Sequence, residues 1–253
     1  MDVARRSRAI SWLIVSTVLL VSFAVSSTAR AADAAPDPAG ESLPFIAVVP
    51  RLGLVAYGAG QDKLSCRGDC AGFAGTDTGY VHTPAFSMGV DALFGFGRFL
   101  RLGPSFEYTL TNPVDLTGHG AFDVGSDFTV NGAVEGVLPV SPRAEVHARF
   151  EGGLLALSEG DDLKRYLDTL RAELCSPGDC PISEGMHVGW NVGVGIGGAY
   201  RMHAHGRLRV DLLFQYYSLE LYSLGARLFG HDIVAYESLS GGRLFLSVGA
   251  EIF

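Results

Sequence analysis

The sequence predicts an all-β fold: an eight-stranded antiparallel up-and-down transmembrane β-barrel with four long outer loops, one of which contains a short helix. Three observations carry this expectation. From Leu43 onward, apolar residues alternate with polar or small ones, the period-two pattern of strands with two unlike faces. The connections between alternating segments switch strictly between short and long. Aromatic residues gather at segment ends, and no run after the N-terminal region is long and apolar enough for a spanning helix.

The chain opens with Arg5, Arg6 and Arg8, continues through AISWLIVSTVLLVSFAV and reaches the small-x-small site Ala29-Arg30-Ala31. Those are the three regions of a secretory signal peptide, so residues 1–31 are expected to be removed between Ala31 and Ala32. A single-pass anchor is the rival, but the apolar stretch is short and the cleavage site follows at once. Cleavage takes away four arginines and one aspartate, a net +3, and the formal charge of −8 becomes −11. So acidic a chain, with no basic stripe, has no electrostatic footprint for nucleic acid. Residues 32–42, rich in Ala, Pro, Asp and Gly, bury too little to order themselves and read as a flexible lead-in to a barrel over residues 43–253.

Eight strands follow in order, around residues 45–58, 84–96, 98–111, 125–138, 143–157, 186–201, 206–222 and 241–253. The third is the clearest: Leu102, Pro104, Phe106, Tyr108 and Leu110 share one face, and Arg101, Gly103, Ser105, Glu107 and Thr109 the other. Tight turns are expected at 95–98, 139–143 and 202–206, and long loops at 59–83, 112–124, 158–185 and 223–240. A soluble barrel would also alternate. The asymmetry of the connections and the aromatic residues favour a membrane barrel. Phe94, Phe96 and Phe99 bracket the first short turn, Tyr57, Tyr108 and Tyr222 sit at the opposite strand ends, and the chain finishes on Phe253.

Taken together, these features resemble the small outer-membrane β-barrels of Gram-negative bacteria, the OmpA/OmpX/OmpW-like group. The resemblance covers nearly the whole mature chain and rests on pattern, with no diagnostic motif. It implies a bacterial outer-membrane location, outer-membrane lipid as surroundings, and recognition of the terminal Phe by the barrel-assembly machinery during insertion. The C-terminus departs from the family pattern. Ile252, Ala250, Val248, Leu246 and Leu244 carry the apolar parity, while Phe253 shares its parity with Glu251.

Eight strands enclose an interior just wide enough for side chains to fill it. The polar parity collects Arg51, Asp91, Arg101, Glu107, Glu135, Glu145, His147, Arg149, Glu151, Arg209, Asp211 and Glu251. Isolated charges there are costly, so guanidinium groups and carboxylates are expected to interlock into a plugged lumen. The functional expectation is an envelope-structural or surface-interaction role exercised through the outer loops. A narrow small-solute pore is the alternative, and an outer-membrane protease or lipid A modifying enzyme a more distant one.

Several motifs are weighed and set aside. Gly193, Gly195 and Gly198 spell G-x-G-x-x-G, but they lie inside a strand, where the dinucleotide fingerprint needs a strand before and a helix after. The inward parity of Gly189, Gly193, Gly195 and Gly197 makes room for long neighbouring side chains instead. His203 and His205 flank a short turn without cysteine or carboxylate partners, so no metal site is assigned and no cofactor is expected. Asp161-Asp162 and His231-Asp232, in two long loops, loosely resemble the rim pairs of omptin-type proteases, which have ten strands. The His-Ser pair of the eight-stranded lipid A deacylases is missing from the lipid-facing strands. No catalytic residue is therefore expected.

The third long loop carries Leu163, Tyr166, Leu167, Leu170 and Leu174 at spacings of three and four, one face of a helix, with Asp161 and Asp162 at its start. The simplest cover for those leucines is the barrel's own mouth; an unknown surface partner is the alternative. Cys66 and Cys70 in the first long loop and Cys175 and Cys180 in the third all project from the outer end. Disulfides are expected in an exported chain, either as local rings or crossed between the two loops. A zinc site using all four thiolates is the rarer alternative.

Overall fold

A computed structural model describes residues 46–68, 75–110, 113–116, 120–174, 182, 184–228 and 231–253. The leader expected at 1–31 and the lead-in at 32–42 lie outside those residues. In chain order the elements are β1 (Ile46–Gly68), β2 (Thr76–His82), β3 (Ala85–Phe96), β4 (Leu100–Thr109), β5 (Pro113–Leu116), β6 (Gly120–Asp123), β7 (Gly125–Pro139), β8 (Ala144–Glu159), α1 (Asp161–Leu174), β9 (Met186–His203), β10 (Gly206–Leu228) and β11 (His231–Ile252).

Eight of these strands form a closed antiparallel ring: β1, β3, β4, β7, β8, β9, β10 and β11 pair in sequence, and β11 returns to β1. Closure is extensive, running from Val48 opposite Ile252 to Gly68 opposite Ile233. The polarity is inverted relative to a soluble protein. Ile196 is 65% exposed and Leu154 61%, whereas Arg209, Glu135 and Glu251 are fully buried. This is the expected eight-stranded transmembrane barrel, apolar outward and polar inward.

Two of the expected long loops are largely strand. β1 runs ten residues past its expected end at residue 58, and β10 and β11 pair with each other almost to their tips, up to Leu228 opposite His231. Above the membrane both faces of these strands meet water or a partly polar interior, so apolar alternation fades while the ladder hydrogen bonds persist. The second outer loop is also structured. It folds into the β5–β6 hairpin, which joins the sheet by pairing β5 with β2.

Two register shifts reset which residues face inward. Between Val55 and Tyr57 on β1 the inward parity passes from odd residues to even ones, so Gly60, Asp62 and Leu64 turn toward the interior. Between Glu220 and Tyr222 on β10, Leu221 and Tyr222 become buried side by side. A bulge adds one residue to one strand of a pair and flips everything beyond it. Tyr222, expected at the membrane interface, is therefore an interior residue. The outer aromatic rim is held in part by Trp190 and Tyr216, whose rings lie 5.7 Å apart, and the inner one by exposed Phe94, Phe96 and Phe99.

Glycine matters most at two places. Gly97, with φ of 64°, makes the first short turn. At Gly197 a Cβ would run into Asp211 Oδ1 and His147 Nε2. Replacing Gly197 with leucine is expected to lower stability by about 1–3 kcal/mol through overpacking. The same replacement at Gly136, where a Cβ meets nothing within 4 Å, is expected to be neutral. Urea unfolding in lipid vesicles, followed by the gel shift between folded and heated protein, measures both.

Candidate functional site

The interior has a charged lower storey at membrane level and a largely apolar upper storey beyond it. The lower storey begins at the short-turn end. Arg101 donates to Glu251 at 3.1 Å and to Glu145 at 2.5 Å, while Arg207 donates to Glu251 at 2.8 Å and lies 3.1 Å from Glu145. Two guanidinium groups and two carboxylates thus close a ring. Phe253 packs beneath, against Ala47, Val49 and Leu93, with Arg207 4.7 Å from its ring centre. The terminal residue is turned inward, in keeping with the parity it shares with Glu251.

At mid-membrane the network condenses around Arg149 and Arg209. Arg209 forms a fork on Glu135, at 2.9 and 2.5 Å, and donates from Nε to Asp211 at 2.7 Å. Asp211 in turn meets His147 Nε2 at 2.5 Å. Arg149 forks onto Asp91 at 2.8 and 3.1 Å and also donates to Glu135 and Glu151. Arg51 shares Asp91 at 3.0 Å and approaches Glu107 at 3.4 Å. All twelve polar-parity residues named from the sequence therefore lie inside the barrel, in one or the other of these two clusters.

Sequence reading missed its upper end. Arg243 donates to Asp127 at 2.7 Å and twice to Gln215, which donates onward to Glu151. Arg243 shares its parity with Glu251 on β11, but it lies eight residues away, near the start of the expected strand. Asn131 adds a bond to Glu151 at 2.9 Å. Bidentate and charge-assisted geometry of this kind is what lets guanidinium–carboxylate pairs survive burial.

Above Arg243 the wall turns apolar. Leu155, Leu157, Leu219 and Leu239 pack with Tyr80 and Tyr217, and the helix closes over them with Leu163 and Leu167, the latter wholly buried. The side chain of Leu174 lies outside the described residues. α1 is anchored at its start by Asp123 of β6. The Asp161 amide donates to Asp123 Oδ2 at 3.2 Å, and the Asp123 amide donates to Asp162 Oδ2 at 2.9 Å. The first bond satisfies an amide that the helix start leaves open, and the second ties the helix back to β6. The other end is held by Arg171, which donates to Glu159 at 2.6 Å and Asp168 at 2.7 Å.

Glu159 also accepts from the Gly185 amide at 3.0 Å and meets His187 at 3.1 Å. Burial alone would raise its pKa, but the bonds from Arg171, Gly185 and His187 outweigh it and hold the carboxyl below the ordinary range. Asp62 behaves oppositely: burial, then the neighbouring Glu237 and Asp77 carboxylates, push it up to about 7. Tyr166 of α1 donates to Glu237 at 3.0 Å.

Among the other candidates, Asp162 is engaged by Asp123 and Arg165, and the side chains of His231 and Asp232 lie outside the described residues. His203 and His205 sit exposed at the third short turn. Cys66 lies on β1 opposite Ala235, whereas Cys70, Cys175 and Cys180 fall outside the described residues.

A closed ring with a lipid-compatible exterior and a polar interior defines a transmembrane β-barrel. Among known proteins, no family model and no curated relative matches the sequence. Solved structures align with it in fold alone. Neisserial surface protein A aligns at 11% identity over 83% of this chain and 99% of that one, with a TM-score of 0.42. The outer-membrane protein OprG from Pseudomonas aeruginosa aligns at 11% identity over 82% and 95%, with the same TM-score of 0.42. Ail, the attachment invasion locus protein of Yersinia pestis, aligns at 10% identity over 78% and 98%, with a TM-score of 0.31.

Two predictions follow from the site's geometry. Arg149→Met leaves Asp91, Glu135 and Glu151 short of a partner and is expected to cost about 3–5 kcal/mol, the penalty for breaking a buried pair from one side. Urea unfolding in vesicles checks it. For the lid, the depressed pKa of Glu159 means its contribution is present above the unfolded value of about 4.3 and is lost as pH falls through the lower folded value. Protection factors of the α1 amides, referred to the intrinsic exchange rate at each pH, should fall selectively on acidification, and Glu159→Gln should lower them already at neutral pH.

Proposed function

We propose that this protein is an integral component of a bacterial outer membrane, exported by its N-terminal leader and inserted by the barrel-assembly machinery. Its plugged barrel serves an envelope-structural or surface-interaction role through the outer loops. One observation carries this reading: buried ion pairs at successive levels of the lumen, from the Arg207–Glu251 pair at the short-turn end, through the Arg209–Glu135 and Arg149–Asp91 pairs, to Arg243–Asp127 below the outer chamber. A pore needs an aqueous path, and here guanidinium forks occupy that cross-section at successive levels. No catalytic role is assigned. Rigid strands below and loop-borne elements above follow the usual division of labour between scaffold and functional surface.

The cysteines belong to that outer surface. Local bridges, Cys66 to Cys70 and Cys175 to Cys180, would each span a Gly-Asp pair of the sequence, and crossed bridges between the two loops are the competing arrangement. Mass mapping of non-reduced peptides is expected to return the two local pairs. Reconstituted in planar bilayers, the protein is expected to give no steady single-channel openings. Discrete, long-lived conductance steps would replace the plugged barrel with the narrow-pore reading.

A further inference from the structure

Between the ion-pair plug and the helix lid the barrel encloses a cavity of about 250 Å³. Much of its wall is apolar, with Val124, Leu155, Leu219 and Leu239 among the contributors, and Tyr80, Phe122, Tyr166 and Tyr217 add aromatic rings. A dry apolar cavity of about 150 Å³ accepts benzene, so the space here suits roughly ten non-hydrogen atoms. One side of the cavity is different in kind: Asp62 of β1 and Glu237 of β11 face it together.

The electrostatics of that side are unbalanced. Glu237 is held by the Tyr166 hydroxyl from α1 and by Tyr222 from β10, while Asp62 lies close to Glu237 and to Asp77 of β2. Asp62 Oδ1 is buried and meets no hydrogen-bond donor among the described residues. The guanidinium group facing the cavity from below, that of Arg243, is engaged by Asp127 and Gln215. His82 is bonded to the Tyr217 hydroxyl, which also meets Tyr80. The cavity therefore presents acceptors and aromatic faces to a guest, with its nearest cation already committed. Asp62 and Glu237 also hydrogen-bond each other, and above pH 7, where both ionise, an anion would be repelled and a neutral guest would leave the pair without a counter-charge.

We propose that this cavity binds a small primary amine with an apolar body, about ten non-hydrogen atoms in all, its ammonium seated between Asp62 and Glu237 and its body against the leucine and tyrosine wall. Three ammonium protons suit two carboxylates and an aromatic face. Binding is linked to protonation. The Asp62 carboxyl, raised to about 7, must be ionised to receive the ammonium, so a guest displaces a proton below that pH. The amine itself stays charged, since alkyl ammonium groups titrate near that of lysine, at about 10.4.

The test uses the full mature protein in lipid nanodiscs, with 2-phenylethylamine as probe and 2-phenylethanol and 3-phenylpropanoate as isosteric controls. Saturation-transfer NMR and calorimetry, corrected against empty nanodiscs, report binding. The amine is expected to bind at least tenfold more tightly than either control at pH 8. Its affinity should fall by up to tenfold per pH unit below 7. The paired substitution Asp62→Asn with Glu237→Gln should remove this preference while heat-modifiable gel mobility stays normal. Leu239→Trp should abolish binding by filling the space. Equal affinity for amine and alcohol in the unaltered protein would overturn the proposal without any variant being needed, as would an amine affinity flat between pH 6 and 8.

Discussion

Pairing of β1 with β11 is the constraint on which the rest of the molecule depends. In hydrocarbon each unpaired amide or carbonyl costs several kcal/mol, so a sheet that enters lipid must close on itself. Closure with eight strands fixes the interior at about the width of the side chains that line it. Once the outer face is given over to Leu, Val, Ile and Phe, the inner face receives the remaining parity. Here that parity carries Arg, Asp, Glu and His, so the lumen fills with charge. Glu135 shows the consequence: it lies opposite Arg149 on β8 and Arg101 on β4, and is gripped across the barrel by Arg209 of β10.

The change from charged plug to apolar chamber is a matter of register. Had β1 continued without its shift near Tyr57, the residues turned inward above the membrane would have been those of opposite parity, among them Ala59, Gln61 and Lys63. The shift places Gly60 and Asp62 there instead. At Gly60 a side chain would collide with the ring of Tyr80, so the glycine makes space for the tyrosine that lines the cavity. On β10 the second shift adds Tyr222 to the same interior, beside Leu221. Two single-residue irregularities thus set the border between storeys, and α1 closes the upper one with leucines.

Much of this was legible because period two is a strong signal where one face meets lipid. Every member of the polar-parity set, from Arg51 to Glu251, could be placed inside from alternation alone. What escaped notice escaped for identifiable reasons. Arg243 stands next to Gly241-Gly242, where small residues interrupt the apolar alternation, so at the start of its strand the inward parity lacks contrast. Asp62 and Glu237 lie where both strand faces are polar and parity has no contrast, and Asp62 also lies beyond a bulge that sequence does not announce. Asp123, which ties the second loop to α1, sits 38 residues from Asp161, and nothing in the intervening pattern couples them. The helix was readable from its leucine spacing, but apart from β8, which leads into it, the surface it covers comes from strands distant in sequence, among them β2, β5, β10 and β11.

The plug and the chamber differ in how readily they can rearrange. A solute crossing the lower storey would have to part the Arg209–Glu135 fork, the Arg149–Asp91 fork and the Arg101–Glu251 pair, each fully desolvated. Breaking one buried pair from one side costs about 3–5 kcal/mol, so parting several at once approaches the whole stability of a domain, about 5–15 kcal/mol. The upper storey is held otherwise, by apolar contacts under a single helix that is anchored through Asp123 at one end and Glu159 at the other. Displacing that helix need not disturb the ion pairs at membrane level. Conformational change in this barrel therefore belongs to its outer third, where the cavity and the acid pair are found together.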